Sequence, residues 1–242
     1  MENPPVCLVI GAGDGTGSAI ARRFAGGNFT ICAARRHKAG LSPLLQQIER
    51  EGGTAHGFAL DAADEQQVMA TIGTIEKDIG PIDVAVYNVG GFVKGSITEL
   101  SSQDFRQAWE ANCFGAFVMC RELARVMTPR ARGTILITGA TASLRGSAGF
   151  AALAGAKHAT RALAQSVARE LGPKGVHVAH IIIDGGIDTP AARARYAALI
   201  AKLPPDGMLK PDDIAQSYWQ LHQQPRSAWT HELDLRPWVE KW

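Results

Sequence analysis

The sequence predicts an α/β fold in which a doubly wound parallel sheet of about seven strands is covered by helices on both faces. Short apolar runs of strand length alternate with longer segments of helical pattern along the 242 residues. The first apolar run leads directly into a glycine-rich turn and the start of a helix. Glycine, acidic or amide residues also follow several later strands, at the edge where such sheets bind ligands.

The chain starts with a strand, a turn and a helix. Residues 7–10 form an apolar run too short for a helix, and residues 18–25 have helix-forming composition. Between them lie Gly11, Gly15 and Gly17, and this order predicts a Rossmann-type dinucleotide site. Gly11 permits a tight exit from the strand, Gly15 lets a pyrophosphate approach the backbone, and Gly17 lets the helix pack closely. The alternative is a turn of the same shape without a ligand.

The same patterns predict the remaining elements. Further strands are predicted over residues 29–34, 55–60, 83–87, 134–138, 176–183 and 233–235. Further helices are predicted over residues 41–50, 64–77, 102–127 and 150–171, with Asp64 as the N-cap of the second of these. No linker or repeat divides the chain, so residues 1–242 are predicted to form one domain, with residues 190–210 as a substrate lid.

The composition is that of an ordinary globular protein, with 46% hydrophobic and 20% charged residues and a formal net charge of +2. This balance gives no reason to expect a nucleic acid or an anionic membrane as partner. No apolar stretch reaches about 18 residues, and the N-terminus lacks the pattern of a secretory signal. The four cysteines show no metal-binding spacing. We therefore expect buried, reduced thiols in a cytoplasmic protein, and no metal site.

Several motifs occur in a fixed order along the chain. They are the G-x-x-x-G-x-G turn at residues 11–17, Asp61 after the third strand, Asn88 and Gly90 after the fourth, Asn112 on the long helix, Lys157 four residues after Leu153, and the G-x-I-x-T pattern at residues 185–189. In this order they resemble the short-chain dehydrogenase/reductase family over nearly the whole length. The resemblance implies an oxidoreductase with a nicotinamide cofactor, assembled as a homodimer or homotetramer through its two long helices.

The resemblance also implies which residues form the site. It assigns the cofactor to Gly11, Asp14, Gly15, Thr16, Gly17, Arg35, Arg36, Asp61, Ala62, Asn88, Gly90, Lys157, Ile187 and Thr189. It assigns catalytic roles to Asn112, as a structural and proton-relay group, and to Lys157, which would hold the nicotinamide ribose. Two of these residues have a local alternative. Asp61 could cap the following turn, and Thr189 could cap a helix that starts near Pro190.

The end of the second strand indicates which dinucleotide is bound. An acidic residue there would accept hydrogen bonds from the ribose 2′-hydroxyl, but this chain has an alanine followed by Arg35 and Arg36. A guanidinium suits a phosphate dianion, so NADP(H) is favoured over NAD(H). The alternative for this pair is two solvated surface arginines.

The departures from the family pattern concern the proton-handling side chains. Leu153 stands in the tyrosine position of Y-x-x-x-K, and Ala140 stands in the position of the substrate-polarising serine. Asp184 replaces the proline of the P-G motif, and Tyr87 replaces the first asparagine of N-N-A-G. The candidate substitutes nearby are Tyr87, Thr138, Thr141, Ser143, Arg145, Ser147 and His158.

Three functions remain open at the level of the sequence. The first is an NADP(H)-dependent oxidoreductase that acts on a small carbonyl or alcohol with a non-standard active site. The second is a catalytically inactive NADP(H)-binding or sensing module, which the joint loss at positions 140 and 153 favours. The third is a structural role with an empty pocket, and the retained glycines together with Asn112 and Lys157 count against it. The sequence names no substrate.

Overall fold

The computed structural model describes residues 4–241, and its centre is a sheet of seven parallel strands. The strands are β1 (Val6–Ile10), β2 (Thr30–Arg35), β3 (Ala55–Ala59), β4 (Ile82–Tyr87), β5 (Gly133–Thr138), β6 (Val176–Ile183) and β7 (Glu232–Leu235). Their order across the sheet is β3-β2-β1-β4-β5-β6-β7. This order confirms the predicted doubly wound α/β fold.

Helices cover both faces of the sheet. They are α1 (Thr16–Ala25), α2 (Ser42–Arg50), α3 (Glu65–Asp78), α4 (Ser102–Trp109), α5 (Gly115–Arg130), α6 (Ala151–Leu171), α7 (Pro190–Arg195), α8 (Ala197–Ile200) and α9 (Pro211–His222). One apolar core lies under α1, α2 and α9, and the other lies under α3, α5 and α6. Over residues 4–241, none of the helices combines the length and the apolar character needed to cross a bilayer.

The central strands are apolar along their whole length because each contributes to both cores. In β1, Val6 and Leu8 point into the core under α3, α5 and α6, whereas Cys7 and Val9 point into the other. The four cysteines are buried free thiols, as the sequence predicted. Burial raises the pKa of the Cys7 and Cys32 thiols, which keeps both protonated.

The prediction of a single helix over residues 102–127 was wrong in one respect. A π turn at Glu110–Phe114 separates α4 from α5. Its wider i→i+5 turn rotates the second helix relative to the first. Ala116 on α5 is buried, whereas Phe105 and Trp109 on α4 are 43% and 41% exposed.

Helix α9 was missing from the sequence prediction. Its start carries two ordinary signals, Pro211 in the first turn and acidic residues directly after it. The helix packs against α1 through a group of rings whose centroids lie 5.3–6.0 Å apart. The rings belong to Phe24, Phe29, Trp219 and His222. This helix, which lies between β6 and β7 in the chain, thus completes one face of the sheet.

Truncation of a core side chain on α9 tests whether this helix belongs to the cooperative fold. Leu221 is 2% exposed and belongs to the core shared with α1. We expect Leu221→Ala to lower the free energy of unfolding by about 2–5 kcal/mol, because it removes buried methyl groups and leaves a cavity. Urea denaturation measures the change. The control Leu199→Ala, at a position 63% exposed, should lie close to the wild type.

Candidate active site

A cavity of about 660 Å³ opens at the carboxyl ends of β1, β4, β5 and β6. Of the residues predicted to bind the cofactor, those on its wall are Gly11, Asp14, Gly15, Thr16, Gly17, Asn88, Gly90, Lys157 and Ile187. The wall also includes Ala140, Thr141, Arg145, Ser147, Phe150 and Leu153. The structure therefore joins the glycine turn, Ala140, Leu153 and Lys157 in one continuous space.

The glycine turn has the close contacts that the sequence predicted for it. Gly11 has a φ of +89°, and a Cβ there would lie 2.3 Å from the Asn88 carbonyl oxygen. A Cβ on Gly17 would lie 2.2 Å from the Gly11 carbonyl oxygen. Since α1 begins at Thr16, its first backbone N–H groups and the positive end of its dipole lie at this turn. Such an end is suited to bind an anion.

A chain of buried hydrogen bonds fixes the turn relative to the sheet. Asn88 Nδ2 donates to the Gly11 carbonyl at 3.0 Å, and Thr138 Oγ1 donates to Asn88 Oδ1 at 3.1 Å. The Tyr218 hydroxyl lies 2.7 Å from Thr138 Oγ1, whose only proton is already used, so the tyrosine is the donor. Burial raises the pKa of Tyr218, which keeps this donor protonated. The chain connects α9, β5, β4 and the turn.

Arg35 is the last residue of β2, and its side chain lies beside the glycine turn. Its Nη1 donates to Asp14 Oδ1 and to the Gly40 carbonyl oxygen, each at 3.0 Å. The guanidinium is thus held next to the cavity from a neighbouring strand. Arg36 is exposed. Only the first of the two predicted arginines is fixed at the turn.

Two predicted cofactor residues make local hydrogen bonds. Asp61 Oδ1 accepts from the Ala63 backbone N–H at 3.0 Å, and Thr189 Oγ1 accepts from the Ala192 N–H at 3.1 Å as the N-cap of α7. These contacts are the capping alternatives that the sequence left open. The Thr189 methyl faces the turn, because a Cβ on Gly15 would lie 2.8 Å from it. The contacts with the cofactor stay predictions for both residues.

Asn112 lies in the π turn, behind the cavity wall. It is fully buried, and its Nδ2 donates to the carbonyls of Ala108 and Gly91 at 2.8 and 3.2 Å. Its Oδ1 has no hydrogen-bond partner within residues 4–241. Ala62, another predicted cofactor residue, is buried too and is not part of the cavity wall. The proton-relay role of Asn112 stays a prediction.

Lys157 is 4% exposed and projects from α6 to the base of the cavity. Its Nζ donates to the carbonyls of Thr138 and Val89 at 2.9 and 3.2 Å. Burial lowers its pKa from the ordinary 10.5 to about 8, because the charged form loses hydration. An ammonium has three N–H groups, so one remains for a ligand.

Two apolar residues line the cavity at the positions where the resemblance would place a serine and a tyrosine. Ala140 and Leu153 are among the lining residues, so the space beside Lys157 is bordered by apolar groups. Thr141, the nearest hydroxyl in the sequence, donates to Asp184 Oδ1 at 2.5 Å. Its proton is therefore committed to a carboxylate rather than to the cavity.

Three other candidate substitutes face away from the cavity. Tyr87 is fully buried, and its hydroxyl donates to a backbone carbonyl of the π turn at 2.6 Å. Ser143 is also fully buried, and His158 is exposed on α6 with Nδ1 2.8 Å from a carbonyl of its own helix. None of the three belongs to the residues that line the cavity.

An ion pair joins Arg145 on the cavity wall to the buried carboxylate of Asp184 behind it. Asp184 has no exposed surface, and Arg145 reaches its two carboxylate oxygens with Nη1 and Nη2 at 3.1 and 3.3 Å. Arg236 Nη2 approaches the same carboxylate at 3.5 Å. The Arg145 side chain is 41% exposed and faces the cavity. The sequence showed that Asp184 departs from the family pattern but gave no sign of its partners.

Comparison with known proteins agrees with this geometry. Residues 5–199 match the sequence model of the short chain dehydrogenase family. This chain belongs to that family. Its members are oxidoreductases, so the cavity at the glycine turn is the candidate active site of a short-chain dehydrogenase.

Similar short-chain dehydrogenases differ in their named substrates. A 3beta-hydroxysteroid dehydrogenase of Mediterraneibacter gnavus is 33% identical over 200 residues, which cover 82% of this chain and 71% of that protein. A D-threitol dehydrogenase of Mycolicibacterium smegmatis is 29% identical over 214 residues, which cover 87% of this chain and 82% of that protein. A solved short-chain dehydrogenase of Rhodopseudomonas palustris has a TM-score of 0.84 and 43% identity, and the match covers 98% of this chain and 100% of that one. Membership of the family therefore leaves the substrate of this chain open.

The lowered pKa of Lys157 predicts a pH-dependent stability. Between about pH 8 and 10.5 the unfolded chain binds a proton that the folded protein has released, so folding becomes more favourable as the pH rises. We expect the free energy of unfolding of the wild type to rise relative to that of Lys157→Met across this range. Chemical denaturation at constant ionic strength measures it. The control Lys77→Met, at an exposed lysine, should run parallel to the wild type, and a parallel Lys157→Met profile would contradict the lowered pKa.

Proposed function

We propose that this short-chain dehydrogenase is an NADP(H)-dependent oxidoreductase acting on a small carbonyl or alcohol. The observation that carries the proposal is the single cavity that runs from the glycine turn to Lys157. A dinucleotide needs an anion-binding end and a distant end for the nicotinamide, and this cavity offers both. NADPH bound in this orientation supplies a hydride to the substrate.

The residues present fit such a cofactor. The turn leaves no room for a Cβ at Gly11 or Gly17, so the backbone of the turn is packed closely and its N–H groups lie next to the cavity. The pyrophosphate would bind at the start of α1. Lys157 would lie beside the nicotinamide ribose with its third N–H available to the reacting end, and Ile187 would contact the nicotinamide from the lid side.

Lys157 is also a proton source at the reacting end. With its pKa lowered to about 8, its ammonium gives up a proton near neutral pH more readily than an ordinary lysine. In the family pattern this lysine assists a tyrosine, which this chain replaces with Leu153. We infer that Nζ itself supplies the proton for the product hydroxyl and regains one from water.

The choice of NADP(H) rests on Arg35. Its guanidinium is fixed beside the glycine turn by Asp14 and the Gly40 carbonyl, where the adenosine ribose of a bound dinucleotide would lie. A 2′-phosphate there could replace Asp14 as the partner of the arginine. No acidic side chain ends β2, so the 2′-phosphate meets no repulsion from that strand.

Substitution of Arg35 tests the cofactor preference. We expect Arg35→Gln to weaken NADPH binding by about tenfold or more, because a charge-assisted hydrogen bond to phosphate is lost. NADH binding should change little. Calorimetric titration of protein stripped of bound nucleotide measures both constants. Arg50→Gln, at an exposed arginine on α2, is the control, and an equal loss for both nucleotides would contradict the assignment.

A second function, an inactive NADP(H)-binding or sensing module, is favoured by one observation. Ala140 and Leu153 border the cavity where a serine and a tyrosine would stand, so two polar groups are absent from the reacting end. Loss of a general acid costs about 10²–10⁴ in rate, and loss of an oxyanion donor costs a comparable factor. Nucleotide binding would survive both losses, since the glycine turn is intact.

Restoring both side chains distinguishes the two functions. We expect the double variant Ala140→Ser, Leu153→Tyr to raise carbonyl reduction by about 10²-fold or more if the cofactor is held in a reactive position. NADPH oxidation with a panel of small aldehydes and ketones measures the rate. Ala162→Tyr, at an exposed position on α6, controls for a new tyrosine. A double variant that binds NADPH but stays as inactive as the parent would rule out a reactive cofactor geometry.

We further propose that the protein assembles as a homodimer or homotetramer in the cytoplasm. The support is the outer surface of α5 and α6, where Phe117 is 41% exposed beside a shallow groove that also includes Leu163 and Val167. A small-molecule substrate is the proposed partner at the active site, without a role for nucleic acid, membrane or metal.

A further inference from the structure

We propose that Arg145 is the side chain that hydrogen-bonds the reacting oxygen of the substrate, and that Asp184 is the positioning residue that holds it in the cavity wall. The inference deepens the proposed oxidoreductase function and rests on it. In the family pattern a serine polarises the substrate. The inference gives that role to the Arg145 guanidinium.

The first argument is which donors still have protons to give. Thr138 donates to Asn88, and Thr141 donates to Asp184. Lys157 uses two of its three N–H groups on backbone carbonyls. Arg145 has five N–H groups, and its pairing with Asp184 uses two of them. Among the charged side chains on this part of the wall, Arg145 therefore has the largest spare donor capacity.

The second argument is where the guanidinium lies. Arg145, Ala140 and Lys157 all line the same cavity. Ala140 lies five residues before Arg145 in the chain. Phe150 and Leu153 form an apolar part of this wall, so a substrate carbon skeleton could pack against them while its oxygen meets the guanidinium. A cation in such surroundings stabilises developing negative charge more strongly than it would in water.

The third argument is the construction of the ion pair. Asp184 has no exposed surface, so a ligand in the cavity meets the guanidinium and not the carboxylate. Both oxygens of Asp184 hold Arg145, which fixes the plane of the guanidinium. Thr141 and Arg236 contact the same carboxylate, so Asp184 is itself held in place. A substrate oxygen thus meets a donor whose position is set before binding.

The chemical step balances with these groups. When the carbonyl carbon accepts a hydride, the C=O π electron pair moves to the oxygen. Arg145 donates a hydrogen bond to that oxygen and keeps its proton, because guanidinium groups are not deprotonated in proteins. The proton that completes the hydroxyl comes from Lys157 Nζ, which is then protonated again by water. Alcohol oxidation is the reverse of each transfer.

The test compares benzoate with benzamide as probes. Both rings can pack against Phe150 and Leu153, but only benzoate presents negatively charged oxygens. Calorimetry on the NADP⁺-loaded protein should show benzoate binding about tenfold more tightly than benzamide, as a charge-assisted hydrogen bond requires. Arg145→Gln should remove this preference. Arg145→Lys should keep part of it, because the charge remains but the fork is lost.

A matched control separates this role from general damage. Arg130 makes a similar two-bond pair with Glu76, at 2.6 and 3.1 Å, and lies outside the cavity. Arg130→Gln should leave the benzoate preference unchanged. Asp184→Asn should reduce the preference when Arg145 is present and have no further effect on it in Arg145→Gln protein.

Three results would overturn the inference. They are a benzoate preference that survives Arg145→Gln, an equal loss in Arg130→Gln, and an Asp184→Asn effect that is the same with and without Arg145. An NADPH titration of the same samples tests the proposed function separately. Failure of the wild type to bind NADPH would refute that function, and the probes would then be compared on the nucleotide-free protein, where the same three results decide on Arg145.

Discussion

The hydrogen bonds that the Asn88 side chain makes with Gly11 and Thr138 are the constraint on which the rest of the site depends. One side chain amide joins the Gly11 carbonyl to Thr138, and Tyr218 completes the chain from α9. These bonds hold three strand ends and the glycine turn at fixed distances. Because buried polar groups without partners are costly, the arrangement has few alternatives of similar energy. The cavity takes its shape from this arrangement.

Two cations determine the electrostatics of the reacting end. Lys157 is buried and bound to backbone carbonyls, and within residues 4–241 its ammonium has no acidic partner. Arg145 faces the cavity but is paired behind the wall with Asp184. Ala140 and Leu153 line the same cavity as these two cations, so charged and apolar groups border it together. Both proposed functions, with or without turnover, start from this distribution of charge.

The sequence predicted local features well where one short segment determined them. The strand at residues 7–10 and the turn at Gly11 depend on neighbouring residues, and both were found at the expected places. The prediction of one helix over residues 102–127 was wrong because a π turn has one extra residue, which changes the helical register. The sequence gives no clear signal for such a turn. Helix α9 was missed because it follows two short helices, α7 and α8, rather than a strand, although Pro211 marked its start.

The sequence by itself determined the fold class and the position of the glycine turn, because both depend on residue type and spacing along the chain. Only the tertiary structure decided which groups face the cavity. It showed that Thr141 is committed to Asp184, that Arg145 shares that carboxylate, and that Tyr218 reaches the strand ends. These contacts join residues 39–80 positions apart, and the packing of the two faces brings them together.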